Sequence, residues 1–182
     1  MKIENLAQEV EIPEGIQLSV EGKSILVKGP LGEARKAFSY PKVKIESDGK
    51  KVLLSAKNAT KREKRMMLTY AAHIRNLFKG VSEGFVYRLK VCHSHFPVSV
   101  SVQKGEISVK NLFGENIPRK LALPSDVEVK LNGDIIDVKG IDIEKVGNCA
   151  TRLEQLTRIS NRDRRVFQDG IYIIEKNGKQ LS

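Results

Sequence analysis

The sequence predicts an α+β protein built from two tandem duplicated domains, each a mostly antiparallel β-sheet packed against one main α-helix. Three observations predict it. A short motif occurs twice. Alternating apolar–polar runs are joined by tight-turn signals. Each half ends in one helical stretch with a single apolar face.

The motif is "ILVKGPLGE", from Ile25 to Glu33, and "ISVKNLFGE", from Ile107 to Glu115. Ile25, Val27, Lys28, Gly32 and Glu33 recur as Ile107, Val109, Lys110, Gly114 and Glu115. The surroundings match in kind: "IQLSVEGK" precedes one copy and "VSVSVQKG" the other, and Pro41 or Pro124 follows. A separation of about 80 residues with only two copies is a duplicated domain, not a solenoid repeat. The break falls at "FKGVSEGF", giving an N-terminal α+β repeat over residues 1–81 and a C-terminal one over 82–182.

The runs "KVKIESDGKKVLLSAK" and "DVEVKLNGDIIDVKG" read as paired short strands turning at Asp48-Gly49 and Asn132-Gly133. Thr60 with Glu63 three residues on is a capping box that starts the first helix. Met67, Tyr70, Ala71, Ile74, Leu77 and Phe78 share one face of it, and Gly80 is the expected stop. The second helix follows Asp142 and turns Val146, Cys149, Ala150, Leu153 and Leu156 inward. Helix-after-strands in each half, with hairpin turns, makes the sheets mainly antiparallel.

Composition narrows the function. The chain has 182 residues and a formal net charge of +10. Its 40% apolar content is that of a globular chain, so disorder is excluded as a default. The basic excess calls for a polyanionic partner, nucleic acid first and an acidic membrane surface second. No apolar run is long enough to span a bilayer, and "MKIENLAQEVEIPEG" lacks the apolar core of a signal peptide. Two cysteines, Cys92 and Cys149, are too few for a disulfide framework. An intracellular location is expected.

The positive charge concentrates at two places. Arg158, Arg162, Arg164 and Arg165 lie where the second helix should end, just before a strand-like run from Ile171 to Glu175. Arginine pairs bidentately with phosphate and with guanine edges and stacks on bases. Against this stands an internal salt-bridge network with Asp163, Asp169 and Glu154. Lys61, Arg62, Lys64 and Arg65 crowd the start of the first helix, where cations oppose the macrodipole. Free helix-start N–H groups plus four cations suit a phosphate; the alternative is a solvated helix face, with Glu63 partly neutralising it.

Other motifs carry less. Cys92, His93 and His95 invite a metal reading, but strand alternation turns Cys92 away from the histidines and no zinc spacing is present. His93 and His95 are packed or surface residues, with RNA contact at a strand end as the lesser reading. Cys149 reads as core. "KGPLGE" has no Walker or dinucleotide spacing and reads as a plain turn. No nucleophile–base arrangement is recognisable, so no enzyme, cofactor, metal or small-molecule substrate is expected.

The stretch from Gln155 through Ile159, Arg162, Arg165 and Phe167 to "DGIYIIEK" closely resembles the C-terminal signature of the large-subunit ribosomal protein six family, archaeal and eukaryotic-type branch. "IPEGI", "KGPLG", the basic helix and "YRLKVCHSHFPVSV" resemble the same branch, and the bacterial "YKGKG" ending is absent. The resemblance covers essentially the whole chain and implies a non-enzymatic component of the large ribosomal subunit, working in translation in the cytoplasm. It implies binding to 23S-type rRNA, mainly through the C-terminal domain, near the sarcin–ricin loop and the base of the factor-binding stalk. Neighbouring ribosomal proteins at the stalk base are the implied protein partners, and no membrane is involved. Arg158, Arg162, Arg164 and Arg165 would neutralise phosphates. Asn161 and Gln168 would bond 2′-hydroxyls or base edges. Phe167, Asp169 and Gly170 would shape and anchor the turn, together with Ile171 and Ile173. Tyr172 and Lys176 would lie on the RNA side.

Overall fold

The computed structural model describes residues 3–94, 96–103, 105–163 and 165–181. The chain divides into two compact units, residues 1–84 and 85–182.

Among its described residues, unit 1 holds six strands and one helix. The strands are β1 (Ile3–Glu11), β2 (Gln17–Glu21), β3 (Ser24–Gly29), β4 (Gly32–Ala37), β5 (Lys44–Ser47) and β6 (Lys51–Ala59), followed by α1 (Lys61–Ser82). They form two antiparallel sheets, β2-β3-β4 and β1-β6-β5, and α1 packs against strands of both. The expected single sheet per half is thus two small ones, because β2 to β4 form a meander of their own. Ile25 and Val27 of the repeated motif point inward from β3 and are completely buried. Each such side chain contributes about 1.5–3 kcal/mol.

The helix α1 begins as predicted, with Thr60 and Glu63 closing a capping box, and buries Met67, Tyr70, Ala71, Ile74, Leu77 and Phe78. Its end differs. Gly80 is buried inside the last turn, and the helix runs on to Ser82. Gly84, at φ +75°, takes the left-handed position beyond the end and donates its N–H to the carbonyls of Lys79 and Gly80. Only the second glycine of "KGVSEG" meets the geometry of a helix stop.

The turn in "KGPLGE" is a two-residue loop, Pro30-Leu31, between paired Gly29 and Gly32. It is also a packing point. The Leu31 N–H donates to the Val81 carbonyl at 3.0 Å, and a Cβ on Gly29 would stand 2.7 Å from the Val81 side chain. Gly29 is therefore where β3 meets the end of α1.

Unit 2 repeats the order and extends it. β7 (Phe85–Cys92), β8 (Ser99–Gln103), β9 (Glu106–Lys110), β10 (Arg119–Ala122), β11 (Val127–Asn132), β12 (Ile135–Gly140) and α2 (Ile143–Leu156) correspond in sequence to β1 through α1. β13 (Gly170–Lys176) and β14 (Lys179–Gln180) have no counterpart in unit 1. The sheets are β8-β9-β10 and β11-β12-β7-β13-β14, again antiparallel throughout. The added strand β13 lies on the edge of β7, which makes β7 the middle of five. The two-residue loop joining β11 and β12 is Gly133-Asp134, one residue later than the sequence placed it, with Asn132 still paired to Ile135. Gly133 takes φ +60° there.

The core of unit 2 gathers Phe85, Leu89 and Val91 from β7, Ile107 and Val109 from β9, and Ile136 and Val138 from β12. Val146, Cys149, Ala150 and Leu153 of α2 and Ile171 of β13 complete it, with half-buried Leu156 and Ile173 against it. Asp142 caps α2 by accepting from the Glu144 N–H at 2.8 Å. Burial pushes the Cys149 thiol up from its ordinary pKa, so it stays a neutral core group.

Candidate nucleic-acid interface

Helix α2 stops at Leu156, and the chain then needs residues 157–169 to reach β13. This connection carries the arginines. Polar contacts fix both of its ends. At the first, the Thr157 hydroxyl donates to the Glu154 carbonyl at 3.2 Å and accepts the Ile171 N–H at 2.9 Å. Thr157 so covers a donor on the part of β13 that lies outside its pairing with β14. Arg119 of β10 adds a second tie, donating to the carbonyls of Leu156 at 2.8 Å and Arg158 at 3.2 Å. The Leu156 carbonyl is one that a helix end leaves without a partner. Glu115 grips the same guanidinium in a bidentate pair, at 2.9 and 2.6 Å. Their mutual hydrogen bond holds the Glu115 carboxyl below its usual range and raises Arg119.

At the far end, Asp169 is buried and accepts from both the N–H and the hydroxyl of Ser94, at 2.7 and 2.8 Å. Gly170 begins β13 beside Thr157 and Tyr172. Between the anchors a tight turn forms on Asp163, whose carbonyl accepts the N–H groups of Val166 and Phe167. Its carboxylate accepts from Arg165 through the backbone and the guanidinium. That pairing lowers the Asp163 pKa and raises that of Arg165. Gln168 donates to the Arg165 carbonyl at 3.3 Å.

The arginine loop is therefore not held by the salt-bridge network weighed above. Asp169 is committed to Ser94, and among the described residues only Asp163 forms an ion pair with a loop arginine, Arg165. Arg165 is still 90% exposed, so the pair leaves it accessible. Arg158, Asn161, Arg162 and Gln168 are exposed as well. Asn161 adopts φ +60°, which bends the loop just ahead of Arg162. The Arg162 guanidinium lies over two rings, 5.3 Å from the centroid of Phe113 and 5.0 Å from that of Phe167. Arg164 lies outside the described residues.

Strand β13 splits the two residues expected on one side. Tyr172 pairs with Lys90 and Lys176 with Tyr87, because an irregularity at Ile174 shifts the register between Ile173 and Glu175. Lys90 and Tyr87 are three apart, so they point to opposite faces of β7. Tyr172 shares the face of Lys90 and Arg88, whereas Lys176 lies with Tyr87 and lines a shallow cleft beside α2. Arg88 is itself fixed between Asp137, at 3.3 Å, and Glu175, at 2.9 Å.

The basic start of α1 differs from the expectation of free N–H groups. Glu63 is buried there and accepts from the Thr60 N–H at 2.9 Å, the Thr60 hydroxyl, and the Tyr40 hydroxyl at 2.6 Å. The Arg62 N–H donates to the Thr60 hydroxyl oxygen. The helix start thus carries its own anion, and its positive pole is already answered. Lys61, Arg62, Lys64 and Arg65 are exposed around it, Arg62 over the Tyr40 ring at 5.7 Å.

His93 follows the end of β7 and is exposed; His95 lies outside the described residues. No group of three metal-ligating side chains occurs among the described residues. Nor is any helix there long and apolar enough to cross a membrane. Sequence reasoning missed Arg119, Glu115, Thr157, Ser94 and Phe113. None stands out by type, and each earns its place only by what the fold brings near it.

Fold and site together define a duplicated α+β protein that presents an anchored, arginine-bearing loop beside its last main strand. The family described as "Ribosomal protein L6" matches residues 12–84 and 96–170. Similar proteins named "Large ribosomal subunit protein uL6" include that of Methanothrix thermoacetophila, 39% identical over 96% of this chain and 99% of its own. That of Sulfurisphaera tokodaii is 42% identical over 97% and 95%, and that of Archaeoglobus fulgidus 44% identical over 92% and 88%. The chain belongs to the ribosomal protein L6 family, and is a structural ribosomal protein rather than an enzyme.

Proposed function

We propose that this chain is a constituent of the large ribosomal subunit, that unit 2 binds 23S-type rRNA through residues 158–168, and that it stabilises the RNA near the sarcin–ricin loop and the base of the factor-binding stalk. Neighbouring ribosomal proteins at the stalk base are its protein partners. One observation carries the reading: arginines stand exposed on a loop whose two ends are tied to buried structure, by Thr157 and Arg119 at one end and Asp169 at the other. Fixed cations lose little freedom on meeting phosphates, and each phosphate neutralised releases counterions. The names of the relatives and the net charge of +10 support the same partner. Arg158 and Arg165 supply phosphate contacts, Asn161 and Gln168 reach 2′-hydroxyls or base edges, and Tyr172 extends the surface along β13. Lys176 and His93 of unit 2 and, separately in unit 1, Lys61, Arg62, Lys64 and Arg65 of α1 supply further RNA contacts.

Sedimentation of a native extract through a sucrose gradient tests this. The protein should travel with the large subunit and stay there through a moderate salt wash. Recovery at the top of the gradient at low salt would overturn the proposal.

A further inference from the structure

We propose that Arg162, backed by Phe113 and Phe167, forms a stacking platform for one unpaired RNA base. The proposal rests on the RNA-binding reading above and adds the class of contact made at this point.

Two rings from distant parts of the sequence meet here. Phe113 belongs to a short turn of 3₁₀ helix, Leu112–Gly114, after β9, and Phe167 ends the arginine loop. Their centroids are 6.1 Å apart with planes at 74°. The turn is strained to achieve this. Asn111 at φ +59° and Phe113 at φ +51° both adopt the left-handed region, which a phenylalanine occupies only when its surroundings force it. The Asn111 amide donates to the Pro97 carbonyl at 3.1 Å, and the Phe96 ring lies 3.7 Å from where a Cβ on Gly114 would stand.

The aromatic pair is not a closed core. Phe167 is 36% exposed, and Val166 next to it 70%. Arg162 lies over both rings and is itself exposed to solvent. A guanidinium needs neither ring to meet a phosphate. Two rings behind it restrain the side chain and leave its outer side to a planar partner. RNA presents such partners where bases are bulged or flipped out, and proteins read them by stacking on aromatic rings or guanidinium planes. The flanking cations Arg158 and Arg165 suit the phosphates on either side of such a base. Charge and shape together select an unpaired nucleotide over a regular duplex.

The test uses the full chain and two RNA hairpins of equal length. One is fully paired; the other carries a single bulged 2-aminopurine. The wild type should bind the bulged hairpin about tenfold more tightly and change the 2-aminopurine fluorescence. R162K keeps the charge and loses the planar surface; it should lose the preference and the fluorescence change while still binding the paired hairpin. A second variant, F113L, keeps apolar bulk without the ring and should weaken the preference in the same direction. Equal binding of both hairpins with unchanged fluorescence would overturn the stacking proposal and leave the RNA-binding reading intact. Failure of the folded wild type to bind either hairpin at low salt would overturn the RNA-binding reading itself.

Discussion

The buried carboxylate of Asp169 holds Ser94 by two bonds, 2.7 Å from its N–H and 2.8 Å from its hydroxyl. Seventy-five positions separate the two residues in the chain. This contact ties the end of the arginine loop to the segment after β7, so the loop's direction is set by the sheet.

Removing that carboxylate should loosen the loop. Asp169→Ala leaves the Ser94 N–H without its partner and should cost about 1–3 kcal/mol of stability. Chemical denaturation reads the loss, and RNA affinity should fall with it. An unchanged midpoint would mean that the remaining anchors suffice.

Arg119 should prove a structural residue despite its charge. Arg119→Ala removes one bond to the end of α2 and one to the loop at Arg158, and should destabilise unit 2 by about 1–2 kcal/mol, after allowance for its partial exposure. Arg119→Lys should recover little, because an ammonium cannot bridge Glu115 and two carbonyls in a planar fork. Thermal unfolding of both variants decides it; full recovery by lysine would show that charge alone matters.

Glu63 predicts an acid-labile contribution in unit 1. Hydrogen bonds from Thr60 and then Tyr40 hold its carboxyl well below the ordinary range. A group with a depressed folded pKa binds its proton less readily when folded than when unfolded. Its stabilisation is therefore complete above the unfolded value, about 4.3, and is lost as pH falls below it. Glu63→Gln should melt lower than the wild type at neutral pH, and the difference should shrink in acid. A constant difference across the range would assign the effect to packing.

Arg158 and Arg165 should act as phosphate contacts. Replacing both with glutamine should weaken rRNA binding and reduce the salt slope by about two, with the fold unchanged in circular dichroism. The Arg158 carbonyl that receives Arg119 is backbone and survives the change. A slope equal to that of the wild type would place both arginines outside the interface.

Gly29→Ala should destabilise unit 1 by about 1–3 kcal/mol. The added methyl meets both the side chain and the carbonyl of Val81, at 2.7 and 2.9 Å. Equilibrium unfolding is the measurement. A neutral result would show that the end of α1 shifts without penalty.

Local chemistry determined much of this protein from sequence alone. The repeated motif, the capping box at Thr60 and Glu63, the apolar faces of both helices and the strand at Ile171 depend on residues a few positions apart, and periodicity records them. The concentration of arginines between Arg158 and Arg165 is equally legible, because charge density is a local property. Tertiary structure alone decided how those arginines are held. Asp169 bonds Ser94 instead of an arginine, Arg119 reaches the end of α2, and Phe113 backs Arg162, all across long separations in sequence. It also decided that the Tyr40 hydroxyl bonds Glu63 at the start of α1, and that a register shift at Ile174 sends Tyr172 and Lys176 to opposite faces. A hydrogen bond or a stacked ring depends on which strands become neighbours, and spacing along the chain carries no record of that.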